Sequence, residues 1–300
     1  MHLLQEEGAG AREASAAAGH ADVAVALPLA TALKLRVTDE MLPAYLEPLT
    51  YDVAPTDGGD AGGDADGGGD GEGEDGGLSE VELGERRGSL RALHSERLRA
   101  VVVVTSTDLQ LSSLHGSRLL AACALAPELQ FEPLQEQLAA VREQCAESGC
   151  PLLTGDFFAT KHSNLRRAHV VYHIAISPAD LQPGSLSEQR RVCSLLAAGM
   201  RNAVSHAARA AVEHVVLPAS LRVAGVSIDD ADEGMTYREN AGARHALMLA
   251  VRGALQENVG CGAPLAVVEF VTGRLGEQAG EEFFCECKDS VSSIFANVIA

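Results

Sequence analysis

Tryptophan is absent from this chain, and aromatic residues make up only 4% of its 300 positions. Apolar types still reach 46%, so a sizeable core is available, but it has to be built from Ala, Leu and Val. Basic residues are also scarce: 23 Lys and Arg stand against 42 Asp and Glu, a formal charge of −19. That balance argues against non-specific nucleic-acid binding, because attraction to phosphate needs a basic surface. No apolar run approaches the ~20 residues needed to cross a bilayer. The nearest, Ala21–Leu33, is preceded or interrupted by Glu6, Glu7 and Asp22 and follows no basic region, so a secretory signal is not expected. The usual catalytic signatures are missing as well. There is no G-x-x-x-x-G-K-[ST] loop, no G-x-G-x-x-G after the first strong strand, no G-x-S-x-G elbow and no H-E-x-x-H.

Cysteine is present but unpaired in pattern. The seven cysteines are odd in number, and only Cys285 and Cys287 are close together, on a segment that reads as helix. Side chains at i and i+2 of a helix diverge. Reduced thiols in a cytoplasmic protein are the expectation, with neither a disulfide framework nor a zinc site. The acidic charge is concentrated in Pro55–Gly77, PTDGGDAGGDADGGGDGEGEDGG, which holds eight acids, eleven glycines and no base. Such a stretch buries nothing and repels itself, so residues 55–84 read as a disordered linker. A calcium-binding nonapeptide repeat would need a large apolar residue in each turn, and none occurs.

The length suits one or two domains. After the linker, strand and helix signals alternate. Arg99–Ser106 (RAVVVVTS) and His169–Ile176 (HVVYHIAI) are β-branched runs typical of strands buried on both faces. Leu134–Ala146 has helical periodicity through Leu134, Leu138 and Val141. Pro183-Gly184 breaks the chain before Ser185-Leu-Ser-Glu188, a capping box, and the helix that follows carries Val192, Leu195, Leu196, Gly199, Ala203 and Val204 on one stripe. His214–Leu217 and Pro264–Thr272 read as strands, Tyr237–Glu257 and Glu281–Ala296 as helices. Strands alternating with crossover helices predict an α/β fold: a three-layer, mostly parallel sheet with helices on both faces. The division predicted is a short segment at 1–54, the linker at 55–84 and an α/β domain at 85–300, with Val23–Leu29 and Ala32–Val37 forming an edge hairpin.

The densest collection of reactive side chains is Thr154–Ser177, TGDFFATKHSNLRRAHVVYHIAIS. His169 and His173 would share a strand face about 13 Å apart at ~3.3 Å per residue, too far to chelate one metal. His162 precedes them in what reads as a loop and could approach either. Asp156 and Asn164 flank that loop, and both types bond backbone amides in turns. No metal site and no cofactor is therefore expected; the histidines read as hydrogen-bonded structural groups. Lys161, Arg166 and Arg167 make the one dense basic spot.

Three blocks of this sequence resemble the C-terminal region of subunit 3 of the FERRY complex. They are Val101–Gln144, GDFFATKHSNLRRAHVVYHIAI and GMRNAVSHAARAAVEHVVLPASL. The pattern G-[DE]-F-[YF]-x-T-[RK]-H-S-N-L-x-x-x-H-V-x-[FY]-H falls on Gly155, Asp156, Phe157, Phe158, Thr160, Lys161, His162, Ser163, Asn164, Leu165, His169, Val170, Tyr172 and His173. A G-[LM]-R-N tetrad falls on Gly199–Asn202, including Arg201 and Asn202. The resemblance covers roughly residues 98–297. It implies a non-catalytic subunit or scaffold of an assembly that an active Rab GTPase recruits to early endosomes and that carries messenger RNA. Implied with it are other complex subunits and a Rab GTPase as partners, only indirect contact with RNA, and a cytoplasmic location peripheral to the endosome. Relatives in that family carry a long, charged helical section ahead of this region, where this chain has its acidic glycine-rich stretch.

A more distant similarity is to the macro-domain fold. The order of elements fits through Val101–Val104, Asn164-Leu165 ahead of a strand, and Val215–Ser220 ahead of a helix. The ligand loops do not. Thr105-Ser106-Thr107-Asp108 stands where that fold has N-A-A-N, and Leu111–Ser117 holds one glycine. ADP-ribose rests its phosphates on glycine-lined amides, so a degraded pocket is expected. The alternative reading is ADP-ribose binding or hydrolysis, with Asp108, His115 and Asn164 as its ligand-binding residues.

Overall fold

The computed structural model describes residues 20–26, 32–38, 42–49, 98–111, 116–181, 184–219, 241–258, 265–272 and 277–295. The predicted linker, 55–84, and His115 lie outside the described residues. Seven strands form one sheet: β1 (His20–Ala26), β2 (Ala32–Thr38), β3 (Arg99–Ser106), β4 (Phe157–Lys161), β5 (Val170–Ile176), β6 (His214–Pro218) and β7 (Val267–Val271). Their spatial order is β1-β2-β7-β6-β3-β5-β4. The five inner strands run parallel, and β1 and β4 pair antiparallel at the two edges.

Alternation along the inner strands divides the core in two. Ala100, Val102, Tyr172, Ile174, Val215, Leu217, Val268 and Phe270 face one layer, covered by α3 (Leu186–Arg209), α4 (Ala241–Glu257) and α5 (Glu277–Phe295). Val101, Val103, Val171, Val216 and Val271 face the other. That second layer consists of α1 (Gly116–Leu125), α2 (Leu134–Ser148) and a 3-10 turn at Leu42–Leu46. The architecture is the three-layer α/β sheet read from the sequence. With no Trp available, close packing falls to small side chains: α3 buries Ala197, Gly199, Ala203, Ala207 and Ala208.

Local signals explain the element ends. Ser185 caps α3 by accepting from Glu188 N at 3.3 Å, and the Glu188 carboxylate accepts from Gly184 N at 2.8 Å. Gly149 ends α2 with φ 65°, a left-handed conformation that glycine adopts without strain. One departure from expectation bears on the site. Phe157–Lys161, read as loop, is an antiparallel edge strand on β5, in register Thr160↔Val171. As an edge it buries only Thr160 fully, so its sequence shows no clean alternation.

Candidate functional site

The signature stretch builds a buried polar relay between β3, β4 and β5. His173 is fully buried, with Nδ1 2.9 Å from Thr105 Oγ1 and Nε2 2.9 Å from Thr160 Oγ1. The Phe158 ring stacks on the His173 imidazole at 4.5 Å. Thr160 Oγ1 also lies 2.8 Å from His162 Nε2, and His162 Nδ1 lies 3.3 Å from Glu128 Oε1. One donor order satisfies every link when both imidazoles are neutral. Thr105 donates to His173, His173 to Thr160, Thr160 to His162 and His162 to Glu128. Burial, with His162 nearby as a smaller cause, pushes the His173 imidazole down to about 3, so it stays neutral. Burial alone would raise the Glu128 carboxyl. Bonds from the His162 ring and from Ser163 N and Oγ, at 3.0 and 2.6 Å, outweigh it and hold the group below its ordinary range. Asn164 Nδ2 donates to Ala126 O at 2.7 Å, tying the same loop to the end of α1.

Cys123 and Glu128 both approach His162, the thiol at 3.7 Å from Nδ1. The trio invites comparison with a nucleophile, base and orienting acid, but both partners meet the same ring nitrogen. A working triad needs opposite nitrogens. Burial pushes the Cys123 thiol up to about 11 despite a bond with Asn164, and Glu128 adds to the rise. A thiol so protonated is not a nucleophile near neutral pH. Neither Cys123 nor Glu128 stands out in the sequence, because each reaches His162 from more than thirty residues away.

A second network joins the amino ends of the parallel strands. Glu269 on β7 is buried; its Oε1 accepts from Tyr45 Oη at 2.8 Å, and its Oε2 lies 2.7 Å from His214 Nε2. His214 Nδ1 accepts from Arg99 Nε at 3.2 Å, which places the ring proton on Nε2, facing Glu269. His169 Nδ1 accepts from Arg99 N at 3.1 Å. The Arg167 guanidinium covers the Tyr45 ring at 4.4 Å. Beside this network opens a polar cleft of ≈ 400 Å³ lined by Glu47, Arg99, Arg166 and Arg167.

Of the alternative ligand site, the two described residues, Asp108 and Asn164, do not come together. Asp108 follows the carboxyl end of β3, where its Oδ1 accepts from Gln110 N at 2.9 Å. Asn164 lies at the amino end of β5, in the loop before Val170. The run of β5 between those ends is about 20 Å at ~3.3 Å per residue. The remaining motif residues hold the frame. Asp156 Oδ2 accepts from Leu153 N at 2.8 Å, and Gly155 N donates to Ala175 O at 2.9 Å. Arg201 reaches from α3 to Glu257 on α4, and Asn202 is exposed beside it. Among the described residues no cluster of His, Cys, Asp and Glu is arranged to hold a metal ion.

A sequence model of one family, described as the Ferry endosomal RAB5 effector complex subunit 3, matches residues 144–300. This chain belongs to that family. The match takes in the signature loop, the buried histidines and all of α3, and leaves β1, β2, β3 and the acidic stretch ahead of it. No curated protein matches the chain. Among solved structures, a mutant macrodomain of Oceanobacillus iheyensis is similar at 12% identity over 93% of this chain and 95% of its own, with a TM-score of 0.47. The macro domain of ganglioside induced differentiation associated protein 2 is similar at 18% identity, covering 61% of this chain and 74% of its own, TM-score 0.39. The macrodomain of Mycobacterium tuberculosis DarG matches at 12% identity over 59% of this chain and 90% of its own, TM-score 0.34.

Proposed function

We propose that this chain is a non-catalytic scaffold subunit of an endosomal Rab effector complex, acting in messenger RNA transport on early endosomes. Family membership over residues 144–300 is the observation that carries the reading. The chemistry of the signature stretch supports the non-catalytic part. Thr160, His162, Ser163, Asn164 and His173 are each at most 1% exposed, and apart from Asn164 Oδ1 their polar side-chain atoms bond one another, Thr105, Glu128 or nearby backbone. Groups spent in this way position a loop and offer nothing to a substrate. Among the described residues no helix is long and apolar enough to cross a membrane, so attachment to the endosome falls to partners: other subunits and an active Rab GTPase. RNA is then held by the assembly, consistent with the formal charge of −19.

Affinity purification of the tagged chain from cells tests this. The expected result is recovery of the other Ferry subunits, with RAB5 retained when loaded with a non-hydrolysable GTP analogue. Recovery of the chain without any of those subunits would overturn the reading.

A further inference from the structure

Helix α2 ends in a turn that folds the chain back on itself. Gly149 N donates to Ala146 O at 3.2 Å, and Cys150 N donates to Cys145 O at 3.2 Å. With Gly149 at φ 65°, these two bonds make a Schellman motif. In that motif the residue after the left-handed glycine returns over the last helical turn, and two apolar side chains commonly meet there. Here the two meeting positions hold thiols, Cys145 and Cys150, both reduced.

Spacing alone hides this pair. On a continuing helix, positions five apart lie about 140° from each other around the axis, at about 100° per residue. The reversal at Gly149 removes that separation. The 3.2 Å bond, with about 1.5 Å from N to Cα and about 2.4 Å from O to Cα, holds the two Cα atoms within about 7 Å. Bends along that path shorten the separation toward the roughly 4.4–6.8 Å that a disulfide spans. Access is provided as well: Cys150 is exposed, and Cys145 is half-buried below Val141 on the inward stripe of α2. Cys193 and Cys287 are buried in the core, and Cys123 is engaged with His162.

We propose that Cys145 and Cys150 form a redox site that closes to a reversible disulfide when a hydroperoxide oxidises the exposed Cys150. The Cys150 thiolate attacks the peroxide O–O bond and becomes a sulfenic acid, and the proton it gave up leaves with the departing hydroxide as water. The Cys145 sulfur then attacks the Cys150 sulfur. The S–S bond forms, the S–O bond breaks, and the Cys145 proton leaves with that oxygen as a second water. Two electrons pass from the two sulfurs to one peroxide, and a small dithiol reverses the change. In a reducing compartment such a pair acts transiently, as a sensor and not as a staple. Closure ties the end of α2 covalently to the segment that enters β4, where Gly155 packs against Leu195 of α3. The site follows from one helix end and does not depend on the scaffold reading.

Hydrogen peroxide treatment of the reduced full chain, then maleimide blocking and cleavage after acidic residues, gives the direct test. Glu147 lies between the two cysteines, so the disulfide should hold the fragments on its two sides together until a dithiol is added. Separate alkylation of Cys145 and Cys150, or a link from either to another cysteine, would overturn the proposal. Cys145→Ser removes the resolving thiol, so Cys150 should then take a dimedone label that the native chain does not retain. Equal labelling of the two chains would count against the mechanism. Gly149→Val tests the turn itself. A β-branched residue resists φ 65°, and among the described residues nothing lies within 4 Å of the added Cβ, so the change acts through the backbone. At a fixed ratio of reduced to oxidised glutathione, the disulfide-to-dithiol ratio should fall at least about threefold. An unchanged ratio would show that the turn does not hold the thiols together.

Discussion

Gly199 of α3 stands directly on Gly155 of the turn before β4. A methyl group on Gly199 would lie 2.6 Å from the Gly155 carbonyl oxygen and 2.7 Å from Ile174 Cγ2. One on Gly155, where φ is +96°, would lie 2.6 Å from Leu195 O. The two glycines that open the G-D-F and G-M-R-N motifs are thus two sides of one contact, through which α3 approaches the sheet. Gly199→Ala should lower the urea unfolding free energy by about 1–3 kcal/mol through overpacking, and Gly155→Ala by a similar amount with added backbone strain. Ala198→Gly, at the exposed neighbouring position, should cost about 1 kcal/mol or less.

Thr160 supplies the one hydroxyl shared by His162 Nε2 and His173 Nε2. Thr160→Val keeps the shape and strands both nitrogens in a buried site. The expected loss is about 2–6 kcal/mol, at about 1–3 kcal/mol for each of the two unsatisfied groups. Thr160→Ser retains the hydroxyl and should recover most of that loss. Equal destabilisation by Val and Ser in urea denaturation would mean that the relay contributes nothing beyond packing.

His173 also makes stability depend on pH. Its folded value near 3 lies below the ordinary 6.5, so between the two the unfolded chain takes up a proton that the folded one refuses. Stability is fully present above about 6.5 and is lost as pH falls toward 3. His206 and His214 are shifted in the same direction, by burial foremost. For His173 alone, moving from pH 7.5 to 5.5 should remove about 1.4 kcal/mol. Urea midpoints at the two pH values measure this. His173→Leu should flatten the difference by about that amount whatever its effect on stability at pH 7.5.

Asp108 and Asn164 sit at opposite ends of the sheet, so ADP-ribose has no shared cradle formed by them. Millimolar ADP-ribose should leave the melting temperature unchanged. Binding at one hundred times Kd would contribute roughly 2.7 kcal/mol, and a clear upward shift would restore the alternative reading.

Much of this fold is legible in the chain, and the reasons are local. RAVVVVTS and HVVYHIAI are buried on both faces and read as continuous apolar runs, while Ser185 and Glu188 mark the start of α3. The edge strand Phe157–Lys161 is not legible, because exposure on one side removes the alternation that would reveal it. Nor is α1, whose Gly116–Leu125 carries neither an acidic first turn nor a basic last turn. For the site, the histidines are visible as letters but their partners are not. Cys123 and Glu128 reach His162 only because α1 returns to the amino ends of the strands. The spacing of His169 and His173 correctly separates them, yet nothing in it shows that Thr160 links His173 to His162 instead.

The sheet order also sets the sequence of events at the ribosome. β2 pairs with β7, and Thr272 Oγ1 donates to Thr38 O across 234 positions of chain. The hairpin β1–β2 is made first but cannot dock until the last strand has emerged. At about 5–20 residues per second, it waits on the order of ten seconds or more with an unpaired edge. Over that interval a nascent-chain chaperone has more to protect at residues 20–38 than anywhere else in the sheet.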